Sequence, residues 1–463
     1  MFRDLPRYEA YAPAGNWVTQ VPANWSWKPA RTIFAERKQA GFVDEEMLSV
    51  TIGRGVIRQA DLLSTTAKKD SSNADKSKYK LVEPGDVVYN KMRAWQGAAG
   101  RSAYRGIVSP AYVVMTPRSG LSDYFHHVVR TPMFAKEAER WSYGITSDQW
   151  SLRPEHFKMV RFPVPPAEEQ AAIVKYLAHA NARIDKAIAA KRRLVGLLNE
   201  QKRSVANAIV TQGVGQSELV ASGVPWLGDV PRGWDVAPLK RYWSVTDCKH
   251  LTVPFVDEGI PLASVSQAQR FLLDLSDAKR TDKASFESLI EGGREPRRGD
   301  LIYCRNVGVG AAAVVDTDET FAMGQDVCLL RSKDQNPYFL NHYLQSNAMR
   351  AQLELILVGS TFRRINVEDV RSLVILVPPL LRQSQLVKAI EEEITPSDAA
   401  IAQAQSEIAL LQEFRTCLVA DVVTGQVDVR AIAATLPDAG EAVVAVAADS
   451  DDELDEVAEG GDE

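Results

Sequence analysis

Two sets of basic and amide side chains stand at matching points of this 463-residue chain. In the first, Asn90-Lys91-Met92-Arg93-Ala94-Trp95-Gln96 leaves the apolar run Val87–Tyr89. Arg101 and Arg105 lie beyond it, and Ser147-Asp148-Gln149-Trp150 follows. In the second, Cys304-Arg305-Asn306 leaves the run Leu301–Tyr303, and Thr361-Phe362-Arg363-Arg364 comes later. Arg, Lys, Asn and Gln can make paired hydrogen bonds to a base edge in the major groove, and Arg or Lys can also anchor phosphate. On this chemistry the candidate DNA-contacting residues are Lys91, Arg93, Gln96, Arg101, Gln149, Arg305, Asn306, Arg363 and Arg364. Arg305-Asn306 follows a strand and pairs a guanine-type with an adenine-type reader, so base contact is expected there. The adjacent cations Arg363-Arg364 are expected at phosphate. For each residue taken alone, a solvated loop face is the alternative. The clusters recur at matching positions with different residues, as two modules reading different sequences would require.

Reactive groups are scarcer. Asn336-Pro337-Tyr338-Phe339 approximates the Asn-Pro-Pro-Tyr/Phe loop that holds the exocyclic amine of a flipped adenine, but its third position is Tyr and no Gly-rich cofactor turn precedes it. Ser122-Asp123-Tyr124-Phe125 stands at the same point of the first half, so the segment reads as a duplicated helix start. Asn or Ser is expected as the N-cap, with Pro in the first turn. Gly308-Val309-Gly310 lacks the third glycine and following helix of a dinucleotide loop, and no GxxxxGK[ST] is present. The four cysteines (Cys248, Cys304, Cys328, Cys417) are widely spaced and the six histidines form no ligand pattern. These features argue against a disulfide framework, a zinc site and a catalytic residue, and for a reducing cytoplasm.

The elements that must position the clusters form an internal repeat. Val164-Pro165-Pro166…Gln170…Val174-Lys175 returns as Val377-Pro378-Pro379…Gln383…Val387-Lys388. Leu197-Leu198…Glu200…Val210-Thr211 returns as Leu410-Leu411…Glu413…Val423-Thr424, again 213 positions on. Upstream, Val21-Pro22…Trp25…Pro29 matches Val230-Pro231…Trp234…Pro238. Residues 17–163 and 226–376 read as mixed modules of short strands, glycine turns and short helices. Each is followed by a long helical pattern. Ile184, Ile188, Lys191, Val195, Leu198, Lys202, Val205 and Ile209 keep a 4-3-4-3 spacing, matched by Ser397, Ile401, Ala404, Ile408, Leu411, Arg415, Leu418 and Val422. A narrow seam of this period calls for a helical partner, and two amphipathic helices packed separately on their modules are the alternative. The expected pairing residues are Ile184, Ile188, Val195, Leu198 and Val205 against Ile401, Ile408, Leu411 and Leu418.

Composition adds limits. Hydrophobic residues make up 45% and no run of 18 apolar residues occurs, which speaks against a membrane span. The net charge of −6 hides an asymmetry, because residues 431–463 hold eleven Asp/Glu and no Lys or Arg. Residues 1–430 are therefore mildly basic, and the tail reads as disordered and acidic.

Taken together, Gly85-Asp86-Val87-Val88 and Gly299-Asp300-Leu301-Ile302, the Val-Pro-Pro…Gln helix starts and the Leu-Leu…Glu…Val-Thr helix ends resemble the specificity subunits of type I restriction–modification systems. The resemblance covers residues 17–428 and departs from the Glu-Gln pair at Arg382. It implies an α+β fold in which two target-recognition domains alternate with two long helices paired as an antiparallel coiled coil, an arrangement with pseudo-two-fold symmetry. The expected segments are 1–163 and 215–376 for the recognition domains, 164–214 and 377–428 for the spacer helices, and 429–463 for the tail. It also implies a non-catalytic chain that binds double-stranded DNA at a split site, one half per domain, with the helices as a ruler. Its partners would be two modification subunits carrying S-adenosylmethionine and ATP- and Mg-dependent restriction subunits, with no cofactor on this chain. A self-contained adenine methyltransferase, a helical protein-binding adaptor and a related bipartite system with another endonuclease partner are the rival readings.

Overall fold

The computed structural model describes residues 5–65, 75–146, 149–215, 218–306, 308–357 and 364–437. Arg363, its neighbours Thr361 and Phe362, Ser147-Asp148 and the acidic tail from Asp438 onward therefore lie outside the described residues. The chain forms two compact units, Met1–Lys191 with Ser406–Glu463, and Arg192–Gln405. Each unit takes one module and one end of each long helix. Helix length is the reason. Ala167–Gln212 has 46 residues and Leu380–Val423 has 44, about 65–70 Å each at ~1.5 Å per residue, so one module cannot cover a whole helix.

In the first unit the central sheet is antiparallel, in the order Phe34–Arg37, Tyr112–Pro117, Val87–Asn90, Ala99–Arg101. Alternation along each strand sends Val87, Tyr89, Val113 and Met115 into the main core. The opposite face sends Val88 and Val114 into a smaller core with Leu48, Val50, Val56, Val82 and Val108. The main core also holds Ile173, Tyr176, Leu177, Ile184 and Ile188 of the first long helix, and Leu418, Val422 and Val423 of the second.

The second unit repeats this plan. Ser244–Asp247, Val327–Arg331, Leu301–Cys304 and Ala312–Val314 stand in the corresponding order. Leu301, Tyr303, Cys328 and Leu330 face the main core, while Ile302, Cys304, Val327 and Leu329 face the smaller one. The modules differ in what covers that smaller core. The first uses the hairpin Leu48–Thr51/Gly55–Arg58 and the pair Lys80–Val82/Gly106–Val108. The second uses Ile260–Ala263, paired antiparallel with Arg280–Thr281 and parallel with Ala322–Met323. A shared frame thus carries dissimilar insertions.

The helices pair antiparallel. In the first unit Asp185 bonds Arg415 and Lys191 bonds Glu407, so numbers rise on one helix as they fall on the other. Ile184, Ile188 and Leu418 are buried in this seam, with Ile408 and Leu411 half-buried. In the second unit Lys202 bonds Asp398, beside buried Ser397 and Ala404 and half-buried Val195, Leu198, Val205 and Ile401. Polar residues at seam positions are thereby paired across it and fix register. Pro396, which the seam spacing does not reveal, sits inside the second helix and removes one backbone bond there. Both helices end on a left-handed glycine, Gly213 and Gly425. At Gly425 a side chain is also excluded by contact, since a Cβ would lie 2.3 Å from the Pro22 ring.

Candidate DNA interface

The repeated motifs are clamps that hold loops to this frame. In Gly85-Asp86 the glycine is left-handed (φ 93°) and the buried Asp86 turns back to accept from the Glu83 amide at 2.8 Å. Its carboxylate also takes Arg37 and Thr116. Asp300 does the same after Gly299 (φ 91°), accepting from the Arg297 amide and from Arg331 at 2.7 Å. The arginine comes from a different strand in each module, so the constraint lies on the turn. Directly after these turns the strands Val87–Asn90 and Leu301–Cys304 run toward the two candidate loops.

The glutamine of each Val-Pro-Pro…Gln block is a second clamp. Buried Gln170 accepts from the Leu121 amide at 2.8 Å and donates to the Pro165 carbonyl at 2.9 Å. Gln383 accepts from the Asn336 amide at 2.8 Å and donates to the Pro378 carbonyl at 2.9 Å and to Gln335 at 2.7 Å. Each therefore ties the start of a long helix to the capping residue of a module helix. The cap itself corrects one expectation. Asn336 does cap Pro337–Leu344, accepting from the Tyr338 and Phe339 amides at 2.9 and 3.2 Å. In the first module the cap position is Leu121, and Ser122 is already the first helical residue. Glu169, beside Gln170, is buried and accepts from Trp25 Nε1 at 2.9 Å, Asn24 Nδ2 at 3.0 Å and the Tyr8 hydroxyl. Exposed Arg382 takes its place in the second copy.

In the first module the structure brings the two predicted loops together. Lys91–Gln96 folds into a turn braced by buried Ala94, and the Lys91 carbonyl accepts from the Leu152 amide at 2.9 Å. Trp95 and Trp150 meet edge to face at 5.4 Å. Arg93, Gln96 and Gln149 are exposed and Lys91 is half-buried. Arg101 stands apart, half-buried, with its guanidinium 3.3 Å from Asp123. Its backbone amide donates to Nδ1 of His126, whose pKa burial pushes down to about 3.

In the second module the candidates part company. Arg305, expected at bases, is buried, with its guanidinium 2.7 Å from Asp247 and 3.4 Å from His250. Its backbone joins two other segments, bonding the Asp326 carbonyl and the Ile365 amide. Arg305 is thus an internal strut of the loop. Asn306 donates to Asp326 at 3.4 Å, and exposed Arg364 lies 3.2 Å from the same carboxylate. Asp326 itself adopts φ 62°, unusual for a side chain larger than glycine. Asp247 and Asp326 were missed because an acidic residue far away in sequence gives no local signal that it will meet an arginine.

Asp247, Cys248 and His250 lie as close together as metal ligands do, but the Arg305 cation already holds that carboxylate. Burial pushes the Cys304 thiol up to about 12 and holds Cys328 above the ordinary thiol range, so both stay protonated. Among the described residues no helix is long and apolar enough to cross a membrane.

Residues 297–408 match the type I restriction modification DNA specificity domain. Over 368 residues the chain is 19% identical to the type I restriction enzyme EcoKI specificity subunit of Escherichia coli K12, covering 74% of this chain and 75% of that one. It is 20% identical to the type I restriction enzyme MjaVIII specificity subunit of Methanocaldococcus jannaschii, covering 76% and 83%. Over about three quarters of its length the chain is thus similar to type I specificity subunits, and residues 297–408 carry the match to their DNA specificity domain. A solved structure from work on complex assembly and conformational transition of the type I system shares the fold, with a TM-score of 0.60 at 14% identity over 88% of this chain and 99% of that one.

Proposed function

We propose that this subunit selects a split DNA site, with residues 17–163 choosing one half and residues 226–376 the other. The observation that carries this reading is the contrast within the repeat. Sheet order, Gly-Asp turn and glutamine clamp are the same in both modules, yet the loops leaving equivalent strands present Lys91, Arg93 and Gln96 in one and Asn306 in the other. Keeping the frame while varying what it displays is the design of a reader with interchangeable letters. Arg93, Gln96, Gln149, Asn306 and Arg364 would supply base and phosphate contacts on double-stranded DNA, with Lys91 at the edge of the first cluster.

Chemistry would belong to partners. Two modification subunits would bind S-adenosylmethionine and methylate an adenine in each half, flipping it because the target atom is out of reach inside the stack. Leu197 and Leu410, equivalent in the repeat, both expose their side chains on the long helices, a pair of like surfaces for two like subunits. Restriction subunits would bring ATP and Mg, this chain would hold no cofactor, and the complex would work in the cytoplasm. Exchange of residues 17–163 for the same module of another specificity subunit, followed by methylome sequencing, tests the reading. One half of the methylated motif should change and the other should stay; a change in both halves, or in neither, overturns it.

A further inference from the structure

We propose that a basic hollow beside the first module's outer strand, formed by Arg31, Lys38, Arg118 and Lys158, grips a backbone phosphate of the DNA that this module reads. The inference rests on the DNA-reading role above and adds an anchor outside the reading loops. The hollow, about 390 Å³, lies along Phe34–Arg37, the outermost strand of the four-stranded sheet, with Glu36 in its wall. Backbone bonds hold its rim in place. The Ala30 and Arg31 amides donate to the Val160 and Lys158 carbonyls at 2.7 and 3.1 Å, and the Arg118 amide donates to the Ile33 carbonyl at 2.7 Å. Glu36, with only 9% of its side chain exposed, accepts from Lys158 at 2.7 Å and lies 3.7 Å from Lys38. One carboxylate is thus set among four cations, of which Arg31, Lys38 and Arg118 are exposed.

A row of cations joins the hollow to the reading loop. Lys80 donates to the Tyr112 carbonyl at 2.7 Å, on the strand that pairs with Val87–Asn90. Burial lowers the Lys80 pKa, and the nearby Lys91 and Lys38 lower it further against the pull of Glu36. Lys91 opens the turn Lys91–Gln96, so positive charge continues from the loop to the hollow within one module. Gathered cations repel one another and gain from an anionic partner, and a phosphodiester backbone supplies negative charge at regular intervals along such a row. Shielding of the sheet edge does not account for the cluster, because the second module's outer strand, Ser244–Asp247, does without it. There Lys240 and Arg371, equivalent to Arg31 and Lys158, both pair with Glu368. Asp247 stands in place of Lys38 and buried Val245 in place of Glu36, leaving Lys333 exposed opposite Arg118 in the repeat.

The test uses the subunit assembled with its modification subunits and a duplex carrying the methylated motif, titrated across a range of salt. Arg31→Gln combined with Arg118→Gln should flatten the plot of log affinity against log salt by about one unit, the share of one neutralised phosphate. Between about 50 and 200 mM salt the variant should then lose roughly 3.5-fold less affinity than wild type. Its methylated motif should stay the same, and its melting temperature should hold because both side chains are exposed. Lys240→Gln, whose ammonium is already paired with Glu368, should leave the slope unchanged. A methylphosphonate scan of the duplex, which removes one phosphate charge at a time, should find a position that weakens wild type and not the variant. An unchanged slope in R31Q/R118Q, an altered motif, or a scan in which every position weakens both alike overturns the proposal. So does weaker assembly of the variant with the modification subunits in the absence of DNA, which would make the hollow a protein contact. Binding of inorganic phosphate that the variant loses while its DNA slope stays unchanged would make the hollow a free-anion site and equally overturn it. Exchange of residues 17–163 reads the motif rather than the salt slope, so this inference can fail while the DNA-reading role stands.

Discussion

Replacing Gln383 by Ala should loosen the second long helix from its module, and the structure sets the size of the effect. Gln383 is 1% exposed and makes three hydrogen bonds through one amide. Alanine leaves the Asn336 amide and the Pro378 carbonyl facing a void, while Gln335 can turn to solvent. An orphaned buried polar group costs about 1–3 kcal/mol, so the loss of two should total roughly 2–6 kcal/mol. Gln170→Ala removes the matching pair of bonds, but Glu169 still holds that helix start through Trp25, Asn24 and Tyr8. The second copy has a smaller reserve, because Arg382 bonds along its own helix to Gln385 at 3.0 Å and only the exposed Asn336 Nδ2–Ser384 Oγ bond at 3.3 Å adds to the clamp among the described residues. Hydrogen exchange at residues 380–390 should therefore accelerate by about 30-fold or more in Q383A, as ~2 kcal/mol requires. The equivalent segment 167–177 should respond less in Q170A. Gln383→Glu is the sharper variant, since it keeps the acceptor and turns the donor into an oxygen facing two other oxygens. At pH 7 it should be as damaging as alanine. A Q383A urea midpoint equal to wild type, or a well-tolerated Q383E, would refute the clamp.

Three further outcomes are expected. Lys202→Glu should weaken the helix pair by up to about 1 kcal/mol through repulsion with Asp398, and adding Asp398→Lys should restore most of the loss in a double-mutant cycle of urea midpoints; no recovery would mean that the pair does not set register. Burial lowers the pKa of His126 to about 3 and of His127 to about 4, so both rings stay neutral in the fold while the unfolded chain takes protons below about 6.5. Stability from these rings is then complete above pH 6.5 and falls as pH drops toward 3–4, at no more than ~1.4 kcal/mol per pH unit for each; urea midpoints of H126Q/H127Q as steep in pH as wild type would contradict this. Arg305→Ala should lower the melting temperature and weaken binding to all sequences, by less than the ~3–5 kcal/mol of a fully buried pair because Asp247 keeps 32% of its side chain exposed. A change confined to one base of the motif, with melting unchanged, would return Arg305 to the base-reading role.

Much of the frame was legible in the residues because its determinants are local. A strand sending Val87 and Tyr89 to one core and Val88 to the other needs only alternation, and a helix seam needs only its 4-3-4-3 spacing. Gly85 and Gly299 mark left-handed turns, and Asn336-Pro337 marks a helix start, because neighbouring residues decide those conformations. Repetition of the same motifs disclosed two modules and two helices. What each loop residue does was settled only in three dimensions. Arg93 and Arg305 look alike as cations after a strand, yet one is exposed and the other is buried against Asp247, on a strand far upstream. The meeting of Trp95 with Trp150, the division of each long helix between compact units and the capture of the helix starts by Gln170 and Gln383 likewise depend on partners distant in sequence. Local propensity chooses the elements, but burial and hydrogen-bond satisfaction are properties of the whole packed surroundings, and those exist only once the chain has folded.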